Sequence, residues 1–298
     1  MDRLEAMRIF ARVVERASFS AAARDLRLPP SKVTEAVKQL ETRLGVRLIE
    51  RTTRAVRPTP DGEAYRRRCL SILGEIEDAE GAFRGARPQG PVRMDVQGAL
   101  ARRYLFDGLP RFFADYPGIE LTITETDRFV DPLREGIDCV LRAGPVGDGD
   151  YVARPLTMLA EMTCCSPDYI ARFGTPVRWD RLEGHRMVGY RSSATGAVLP
   201  LEFLVAGEMK TVMLPSALIV DGAESYSRAA ALGLGLIQVP RYAKQDALAR
   251  GDLVAVLEDT PPSPTPASLL YPSGRLLSPR VRVVIDWVTE QFKTAELE

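Results

Sequence analysis

Residues 18–65 read SFSAAARDLRLPPSKVTEAVKQLETRLGVRLIERTTRAVRPTPDGEAY, and this stretch decides the fold of the N-terminal third of the chain. The run of alanines after Ser20 predicts a short helix that can pack closely against a neighbour, with Ser18 or Ser20 as its N-cap. Pro29 and Pro30 stop that helix and preset the first turn of the next one, which Gly45 can end. Apolar residues of this next helix recur at the spacing of one buried face: Val33, Ala36, Val37, Leu40 and Leu44. The pattern predicts a helix-turn-helix.

The opposite face of the helix that follows Pro29 and Pro30 carries both hydrogen-bonding and cationic side chains. A helix that reads base edges in the major groove of DNA needs this chemistry. The candidate DNA-binding residues, including one from the preceding helix, are Ser20, Ser31, Lys32, Thr34, Glu35 and Lys38.

A basic hairpin follows this helix. Residues 46–50 alternate as a short strand and residues 55–57 form its return strand, so the segment predicts a wing. Cations and hydroxyls in the wing suit DNA phosphates, which fix register without reading sequence. The candidates are Arg51, Thr52, Thr53, Arg54 and Arg57. A solvated basic hairpin is the alternative, and the adjacent helix-turn-helix pattern disfavours it.

Two more helices flank this unit and complete a domain over residues 1–59. One is predicted from Leu4 to about Ala17, and the other begins at Thr59 and Pro60. Apolar residues of the later helix recur at the spacing of a coiled-coil seam: Tyr65, Cys69, Ile72, Ile76, Ala79 and Phe83. We interpret residues 60–87 as a dimerising linker helix, with packing against the same chain as the alternative. Such a dimer would present two reading helices to a pseudo-palindromic site.

The chain has 298 residues, of which 45% are hydrophobic and 27% charged, enough for two or more domains with cores. Its 40 basic and 40 acidic residues cancel, but residues 1–90 hold 18 Lys and Arg against 13 Asp and Glu. A basic first third joined to an acidic remainder suggests two functions. The N-terminus resembles no targeting peptide, and no apolar run is long enough to span a bilayer. We therefore expect a cytoplasmic protein without a membrane partner.

Residues for catalysis are scarce. His185 is the only histidine, and its polar neighbours in sequence predict a solvated loop position. The sequence contains no motif of a nucleophile elbow, a phosphate loop or a dinucleotide fold, so we expect no enzyme activity, metal or cofactor. The four cysteines, Cys69, Cys139, Cys164 and Cys165, are expected to be buried reduced thiols, with a redox switch at the adjacent pair as the alternative. Two rival functions are a small-molecule binding or transport protein and an enzyme on a clamshell fold.

Beyond residue 90, strands and helices alternate. A hinge at 85–91 precedes predicted strands at 92–96, 121–126 and 138–142, with helices at 101–113 and 129–135. The pattern restarts near residue 163, returns at 269–271 and ends in a helix over 279–292. Two crossings, near 163 and 268, predict a hinged α/β domain over 88–298. Its lobe 1 is expected at 91–162 and 268–298, and its lobe 2 at 163–267.

Residues 1–87 resemble the winged helix-turn-helix and linker helix of LysR-type transcriptional regulators. The elements A-A-A, L-E-x-x-L-G-x-x-L and R-T-x-R-x-x-x-x-T-x-x-G occur together and in order. Segments 129–138 with Arg142, 166–169 and 233–240 resemble the family's effector domain. The resemblance implies an all-α winged helix-turn-helix, a long linker helix and a two-lobed α/β domain like type 2 periplasmic binding proteins. It further implies a homodimer or homotetramer that binds promoter DNA and a small-molecule effector, with RNA polymerase as a further candidate partner.

The resemblance also places the effector between the lobes, where strand ends and helix N-termini converge. By position, the effector-binding wall comprises Gly98, Ala99, Leu100, Thr124, Thr126, Arg142, Gly144, Tyr190, Arg191, Ser192, Phe203 and Asp221. The small residues at 98–100 predict a compact, partly apolar effector, and Arg142 or Arg191 would hold an anionic one. Two alternatives stay open: Arg142 can pair with Asp138 or Asp127, and Asp221 can cap the helix that follows it. An effector that binds one arrangement of the lobes more tightly would shift the population toward it. The distance between the two DNA-binding domains of the dimer would then change.

Overall fold

In the computed structural model, the described residues are 2–51, 56–83, 87–128, 130, 132–147, 149–273 and 277–295. They form a winged helix-turn-helix domain, a long helix and a two-lobed α/β domain, in the order that the sequence predicts. No helix in these ranges combines the length and the apolar character needed to cross a bilayer.

The N-terminal domain consists of three helices and a hairpin: α1 Arg3–Arg16, α2 Phe19–Leu26, α3 Pro30–Leu44, β1 Ile49–Arg51 and β2 Val56–Pro58. Ser18 rather than Ser20 caps α2, because its Oγ accepts the Ala21 N–H at 3.2 Å. Gly45 ends α3 in the left-handed conformation, with a φ of 71°. Leu44, which the sequence predicts to be buried, is 41% exposed. The prediction is wrong because an apolar period can continue into a helical turn that no neighbour covers.

The long helix α4, Pro60–Phe83, starts where the hairpin ends. Thr59 Oγ1 accepts the Gly62 N–H at 2.9 Å and donates to the Arg47 carbonyl at 2.7 Å. One hydroxyl therefore caps α4 and joins it to the segment before the wing. At Gly62, a Cβ would lie 1.9 Å from the Leu48 carbonyl oxygen, so a larger residue would push α4 away from the wing.

The C-terminal domain builds most of lobe 1, then lobe 2, and then returns to lobe 1. The first part contains β3 Gly90–Val96, α5 Gly98–Leu100, α6 Leu109–Asp115, β4 Ile119–Glu125, α7 Pro132–Glu135, β5 Cys139–Ala143 and β6 Tyr151–Leu159. Lobe 2 contains β7 Glu161–Cys165, α8 Pro167–Phe173, β8 Gly189–Arg191, β9 Val198–Leu199, β10 Leu201–Val205, β11 Glu208–Val212, β12 Ile219–Val220, α9 Ala223–Ala231, β13 Ile237–Pro240, α10 Gln245–Ala249 and β14 Val254–Val256. The returning part contains β15 Thr265–Pro272 and α11 Pro279–Ala295.

The sheet of lobe 1 has the strand order β4-β3-β5-β15-β6. Strand β3 is parallel to β4 and β5, whereas β15 is antiparallel to β5 and β6. Helix α11 belongs to the core of this lobe through Val284, Val288 and Phe292. Lobe 2 contains the sheets β13-β7-β14 and β12-β8-β9 and the hairpin β10-β11. The two lobes confirm the predicted α/β architecture.

The crossings between lobes come before the predicted positions. Strand β6 ends in lobe 1 at Leu159, β7 begins in lobe 2 at Glu161, and the return strand begins at Thr265 rather than at residue 269. A single residue separates β6 from β7, so strand pairing rather than a loop signal decides where the chain changes lobe. The predicted helix 101–113 is composite, because α5 continues through a π-helical turn at Ala101–Leu105 and a 3-10 turn at Phe106–Gly108 into α6.

The cysteines and His185 are buried. All four thiols are free, as the sequence predicts. Burial raises the pKa of Cys164 and of Cys165 to about 12, which disfavours a thiolate and with it the redox alternative. His185 is 8% exposed, and its Nδ1 lies 3.0 Å from Tyr169 Oη. The predicted solvated position of His185 is wrong because the fold packs this polar stretch against α8, where burial lowers the imidazole pKa.

Glu161, at the connection between the two lobes, makes the stability of the C-terminal domain depend on pH. Its side chain, at the first crossing, is hydrogen-bonded to Thr265 at the second. Burial, assisted by the Glu202 carboxylate, raises the pKa of Glu161 from 4.5 to about 7. The folded chain therefore holds this proton more tightly than the unfolded chain does. It follows that the contribution of Glu161 to the free energy of unfolding falls as the pH rises from about 4.5 to about 7.

We expect Glu161→Gln to raise the free energy of unfolding of the C-terminal domain by roughly 2–3 kcal/mol at pH 8 and to change it little near pH 4.5. Urea unfolding of both proteins across this pH range, followed by the fluorescence of Trp179 and Trp287, measures the difference. Glu258→Gln is the control, because Glu258 belongs to an exposed ion pair with Arg241. A Glu161→Gln protein that is less stable than the wild type at pH 8 would contradict this assignment.

Candidate DNA-binding surface and ligand cleft

The outer face of α3 carries the predicted reading residues. Ser31, Lys32, Glu35 and Lys38 are exposed and Thr34 is half-buried, with Ser20 exposed on α2. Lys32 Nζ lies 2.6 Å from Glu5 Oε1 of α1, and Gln39 donates to Glu35 Oε1 at 2.9 Å. Within the part of the chain that the structure describes, Lys38 has no ion-pair partner. This cation is therefore available to an external acceptor.

The wing is held at the end of α3 by one carboxylate. Glu41 Oε1 accepts the Leu48 N–H at 2.9 Å and the Ile49 N–H at 3.1 Å. Arg57, on β2, is exposed, as a phosphate contact requires. The side chain of Arg51, whose backbone belongs to β1, lies outside the described residues, as do Thr52, Thr53 and Arg54.

The predicted dimer seam of α4 is divided. Cys69 is fully buried in the core of the N-terminal domain, and the half-buried Tyr65 and Ile72 pack against the same core. The Tyr65 ring centroid lies 5.6 Å from that of Phe10 in α1. The prediction of a dimer contact is therefore wrong for Cys69, because α1 needs an apolar cover and α4 supplies it. Ile76 is half-buried, and the side chains of Ala79 and Phe83 lie outside the described residues.

Arg142 is a buried cation on β5. It is 7% exposed and forms an ion pair with Asp95 of β3, which settles the open choice against Asp127 and Asp138. Its guanidinium also donates to the Thr126 carbonyl at 2.6 Å and to Thr126 Oγ1 at 2.8 Å. Burial raises the pKa of Asp95 and lowers that of Arg142, and each charge opposes the shift of the other. The cation is thus engaged by acceptors of its own lobe.

Asp127 joins the two lobes. Its Oδ2 accepts the Ala223 N–H at 2.8 Å, at the first turn of α9 in lobe 2. A carboxylate there satisfies a backbone donor that has no partner within the helix, and it interacts favourably with the helix dipole. The cap proposed from the sequence, Asp221, is not used, since no N-cap side chain bonds to α9. Ser193 Oγ donates to the Asp127 carbonyl at 3.5 Å, so lobe 2 contacts this residue twice.

The other predicted wall residues divide between partly exposed and fully buried positions. Leu100 and Phe203 are fully buried in the cores of lobe 1 and lobe 2. Their assignment to the cleft is wrong, because a sequence locates the end of an element but not the direction of a side chain. The residues that keep some exposure are Gly98, Ala99, Thr124, Thr126, Gly144, Tyr190, Arg191, Ser192 and Asp221. Burial, with the Asp127 and Asp221 carboxylates, raises the pKa of Tyr190 to about 12.

Both parts of the chain match models of known protein families. The family model described as a bacterial regulatory helix-turn-helix protein of the lysR family matches residues 4–63. The model of the LysR substrate binding domain matches residues 85–293. The chain is a LysR-type transcriptional regulator.

Relatives of this LysR-type regulator cover nearly its full length. It is 38% identical over 297 residues to the uncharacterized HTH-type transcriptional regulator YhjC of Escherichia coli K12, covering 98% of this chain and 99% of that protein. It is 35% identical to the HTH-type transcriptional repressor PA14_22550 of Pseudomonas aeruginosa UCBPP-PA14, covering 98% and 93%. The solved structure of CrgA, a LysR-type regulator from Neisseria meningitidis, has a TM-score of 0.59 at 29% identity, with 97% of this chain and 98% of that one covered. The chain is accordingly a DNA-binding regulator with a substrate-binding domain, and not an enzyme.

Sequence reasoning missed the roles of three acidic residues in this LysR-type regulator. Glu41 is part of the L-E-x-x-L-G-x-x-L element, but its bonds to the wing depend on the turn at Gly45. Asp95 lies on β3, which is paired on both sides, and an acid in such a strand is a signal of a buried partner. Asp127 had no local signal, because its partner Ala223 is 96 residues away.

We expect Asp95→Ala to destabilise the substrate-binding domain by about 3–5 kcal/mol, since it leaves the Arg142 guanidinium buried without its anion. Combining Asp95→Leu with Arg142→Met should recover part of the loss, because no charge then remains buried. Urea unfolding measures both variants. Glu258→Ala, which breaks an exposed ion pair, is the control and should cost about 1 kcal/mol or less. A loss from Asp95→Ala as small as that of the control would show that the buried pair is not needed.

Proposed function

We propose that α3 enters the major groove of DNA and that Thr34 and Lys38 make the base contacts. The observation that carries this proposal is the division of α3 into an exposed polar face and a face buried in the domain core. The charge of Lys32 is partly neutralised by its ion pair with Glu5, whereas Lys38 has no such ion pair among the described residues. Lys38 is therefore the stronger candidate for sequence reading.

The wing arginines have a different role in this proposal. Arg57, with Arg51, Arg54 and the hydroxyls of Thr52 and Thr53, binds phosphates and fixes the register of the domain on DNA. The support is the exposure of Arg57 on a hairpin that Glu41 holds against the end of α3. Such contacts contribute equally on every DNA sequence.

The two roles predict different effects on DNA binding. We expect Arg57→Ala to weaken binding to all duplexes alike and to lower the slope of log K against log salt by about one unit, because one fewer phosphate is neutralised. Lys38→Ala should instead change the preference among bases by roughly 1–3 kcal/mol, which is the discrimination that one well-formed hydrogen-bonded pair with a base supplies. Titrations of a duplex selected by the wild type from a random pool, and of a random duplex, measure both effects.

Arg178→Ala is the control for these titrations, since it removes an exposed cation of lobe 2 that is paired with Asp180. It should leave the salt slope and the base preference unchanged. An unchanged slope in Arg57→Ala would remove the wing from the DNA interface. Equal weakening of Lys38→Ala on the selected and the random duplex would remove Lys38 from base reading.

We also propose that a small-molecule effector binds between the lobes and shifts the population of their relative geometries. The contact of Asp127 with α9 supports this, because one lobe carries a carboxylate that stabilises a helix of the other. An effector that binds one geometry better shifts the equilibrium by its difference in affinity and by no more. Because Arg142 is already paired, an anionic effector either binds the exposed Arg191, which donates to the Gly196 carbonyl, or competes with Asp127 for the N-terminus of α9.

Self-association belongs to the same proposal. In a homodimer, two copies pair along the part of α4 beyond Ile72, which includes Ile76, Ala79 and Phe83. A homotetramer adds contacts between substrate-binding domains, and exposed apolar side chains there support this: Phe106, Phe113, Leu232 and Leu234 are each more than a third exposed. The two copies of α3 in the dimer then bind the two halves of a pseudo-palindromic promoter site.

We expect thermal-shift screening of the full chain against metabolites to find compounds that raise the melting temperature, because ligands of the native state stabilise it. For an uncharged compound of this kind, Asp127→Ala should weaken the affinity about fivefold, since loss of a helix cap costs about 1 kcal/mol and that cost falls on the geometry in which Asp127 caps α9. Glu258→Ala should leave the affinity unchanged. Equal affinity of the wild type and Asp127→Ala would place the compound outside the cleft.

A further inference from the structure

The linker helix meets lobe 1 at a glycine. Gly74 lies in the interior of the 24-residue helix α4 and is buried. Glycine in this position destabilises a helix relative to alanine. A Cβ here would lie 2.3 Å from Arg280 Nη2 and 2.9 Å from Arg280 Cζ. The absence of a side chain thus leaves room for a guanidinium directly against the helix backbone.

Arg280 reaches this position from the first turn of α11. It is 4% exposed, its Nη1 donates to the Gly74 carbonyl at 3.0 Å, and its Nε donates to the Pro91 carbonyl of β3 at 3.0 Å. A buried cation is costly unless it is hydrogen-bonded, so these two bonds help to fix where the guanidinium lies. Lysine, whose donors all sit on one nitrogen, cannot reproduce two bonds that leave from opposite ends of a planar group.

Each end of this contact is firmly part of its own domain. Leu73, next to Gly74, is buried in the core of the DNA-binding domain. Val281, next to Arg280, is buried in the core of lobe 1 together with Val284 and Ile285. When lobe 1 rotates, Arg280 therefore moves with it. When α4 moves at Gly74, the DNA-binding domain moves with the helix.

We propose that Arg280 is a positioning residue that sets the angle between the linker helix and lobe 1, and that it carries changes of lobe geometry to the DNA-binding domain. The transmission of lobe changes rests on the proposed function, in which an effector controls the lobe geometry. The control of the angle by Arg280 does not, and it is tested on the protein without DNA or effector.

The angle is measured as a distance between two spin labels in the full chain. Labels are placed on Thr42→Cys in α3 and Glu290→Cys in α11, both exposed positions. The native thiols are buried, and burial raises the pKa of Cys69 to about 11, so the introduced thiols react first. Labelled chain is diluted with unlabelled chain so that only distances within one protomer contribute.

We expect a narrow distance distribution for the wild type. Arg280→Ala and Arg280→Lys should broaden it about twofold or more, because neither variant can bond both carbonyls and more geometries become populated. Arg282→Ala, which removes an exposed cation of the same helix, is the matched control and should keep the narrow distribution. A wild-type distribution in a folded Arg280→Ala protein would overturn the proposal.

Gly74→Ala tests the contact from the other side and keeps the proposal falsifiable if Arg280→Ala fails to fold. Alanine favours the helix, so α4 itself is strengthened. Its Cβ nevertheless displaces the guanidinium from the Gly74 carbonyl. We expect a broadened distance distribution with no loss of helix content by circular dichroism. A narrow, unshifted distribution would overturn the assignment of Arg280.

Fluorescence energy transfer between the two ends of a bound duplex tests the transmission. Arg280→Ala should bind within about twofold of the wild-type affinity, because Arg280 is distant from the reading residues. The DNA bend should differ from that of the wild type and no longer respond to the compound found by thermal shift. An unchanged bend and response, with a broadened label distance, would overturn the transmission while leaving the positioning contact. If the wild type binds no DNA, the proposed function fails and the label distances still decide the role of Arg280.

Discussion

One helix has to satisfy two domains at the same time, and the rest of the structure depends on this constraint. The first half of α4 contributes Cys69 and Leu73 to the core of the DNA-binding domain. The next residue, Gly74, receives the guanidinium of Arg280 from lobe 1. Rotating α4 against the first domain exposes apolar surface, and rotating it against lobe 1 breaks the hydrogen bonds of a buried cation. The linker is therefore a structural element with defined partners, and the apolar seam that looks like a dimer contact in sequence is partly used within the chain.

Two charged groups of the substrate-binding domain, the guanidinium of Arg142 and the carboxylate of Asp127, have partners within the protein. Arg142 is paired with Asp95 and bonded to Thr126, and the N-terminus of α9 is occupied by Asp127. The anion-holding role that the sequence suggests for Arg142 therefore conflicts with its existing bonds. In the proposed effector site, an anion that binds at the N-terminus of α9 would have to replace Asp127.

The DNA-binding domain could be predicted in detail because its determinants are local. The proline pair, the alanine run and Gly45 specify where helices begin and end within a few residues of themselves. The errors share a different cause. Leu44 and Cys69 lie in the helices that the sequence predicts, whereas no predicted helix or strand contained Leu100 or Phe203. What covers each of these four side chains depends on a segment elsewhere in the chain. For His185 the opposite happened: the sequence predicts an exposed residue and the structure buries it, since its polar neighbours in sequence are not its neighbours in space.

The sequence by itself determined the order of helices and strands in the N-terminal domain, the division into a basic DNA-binding domain and an acidic two-lobed domain, the polar face of α3 and the family. Periodicity, caps and turn residues act over a few positions, so a linear pattern is enough to record them. Only the tertiary structure decided that Asp95 pairs with Arg142, that Asp127 caps α9 and that Arg280 lies on Gly74. These partners are 47, 96 and 206 residues apart. Contacts at such separations follow from how whole elements pack, and no local pattern contains that information.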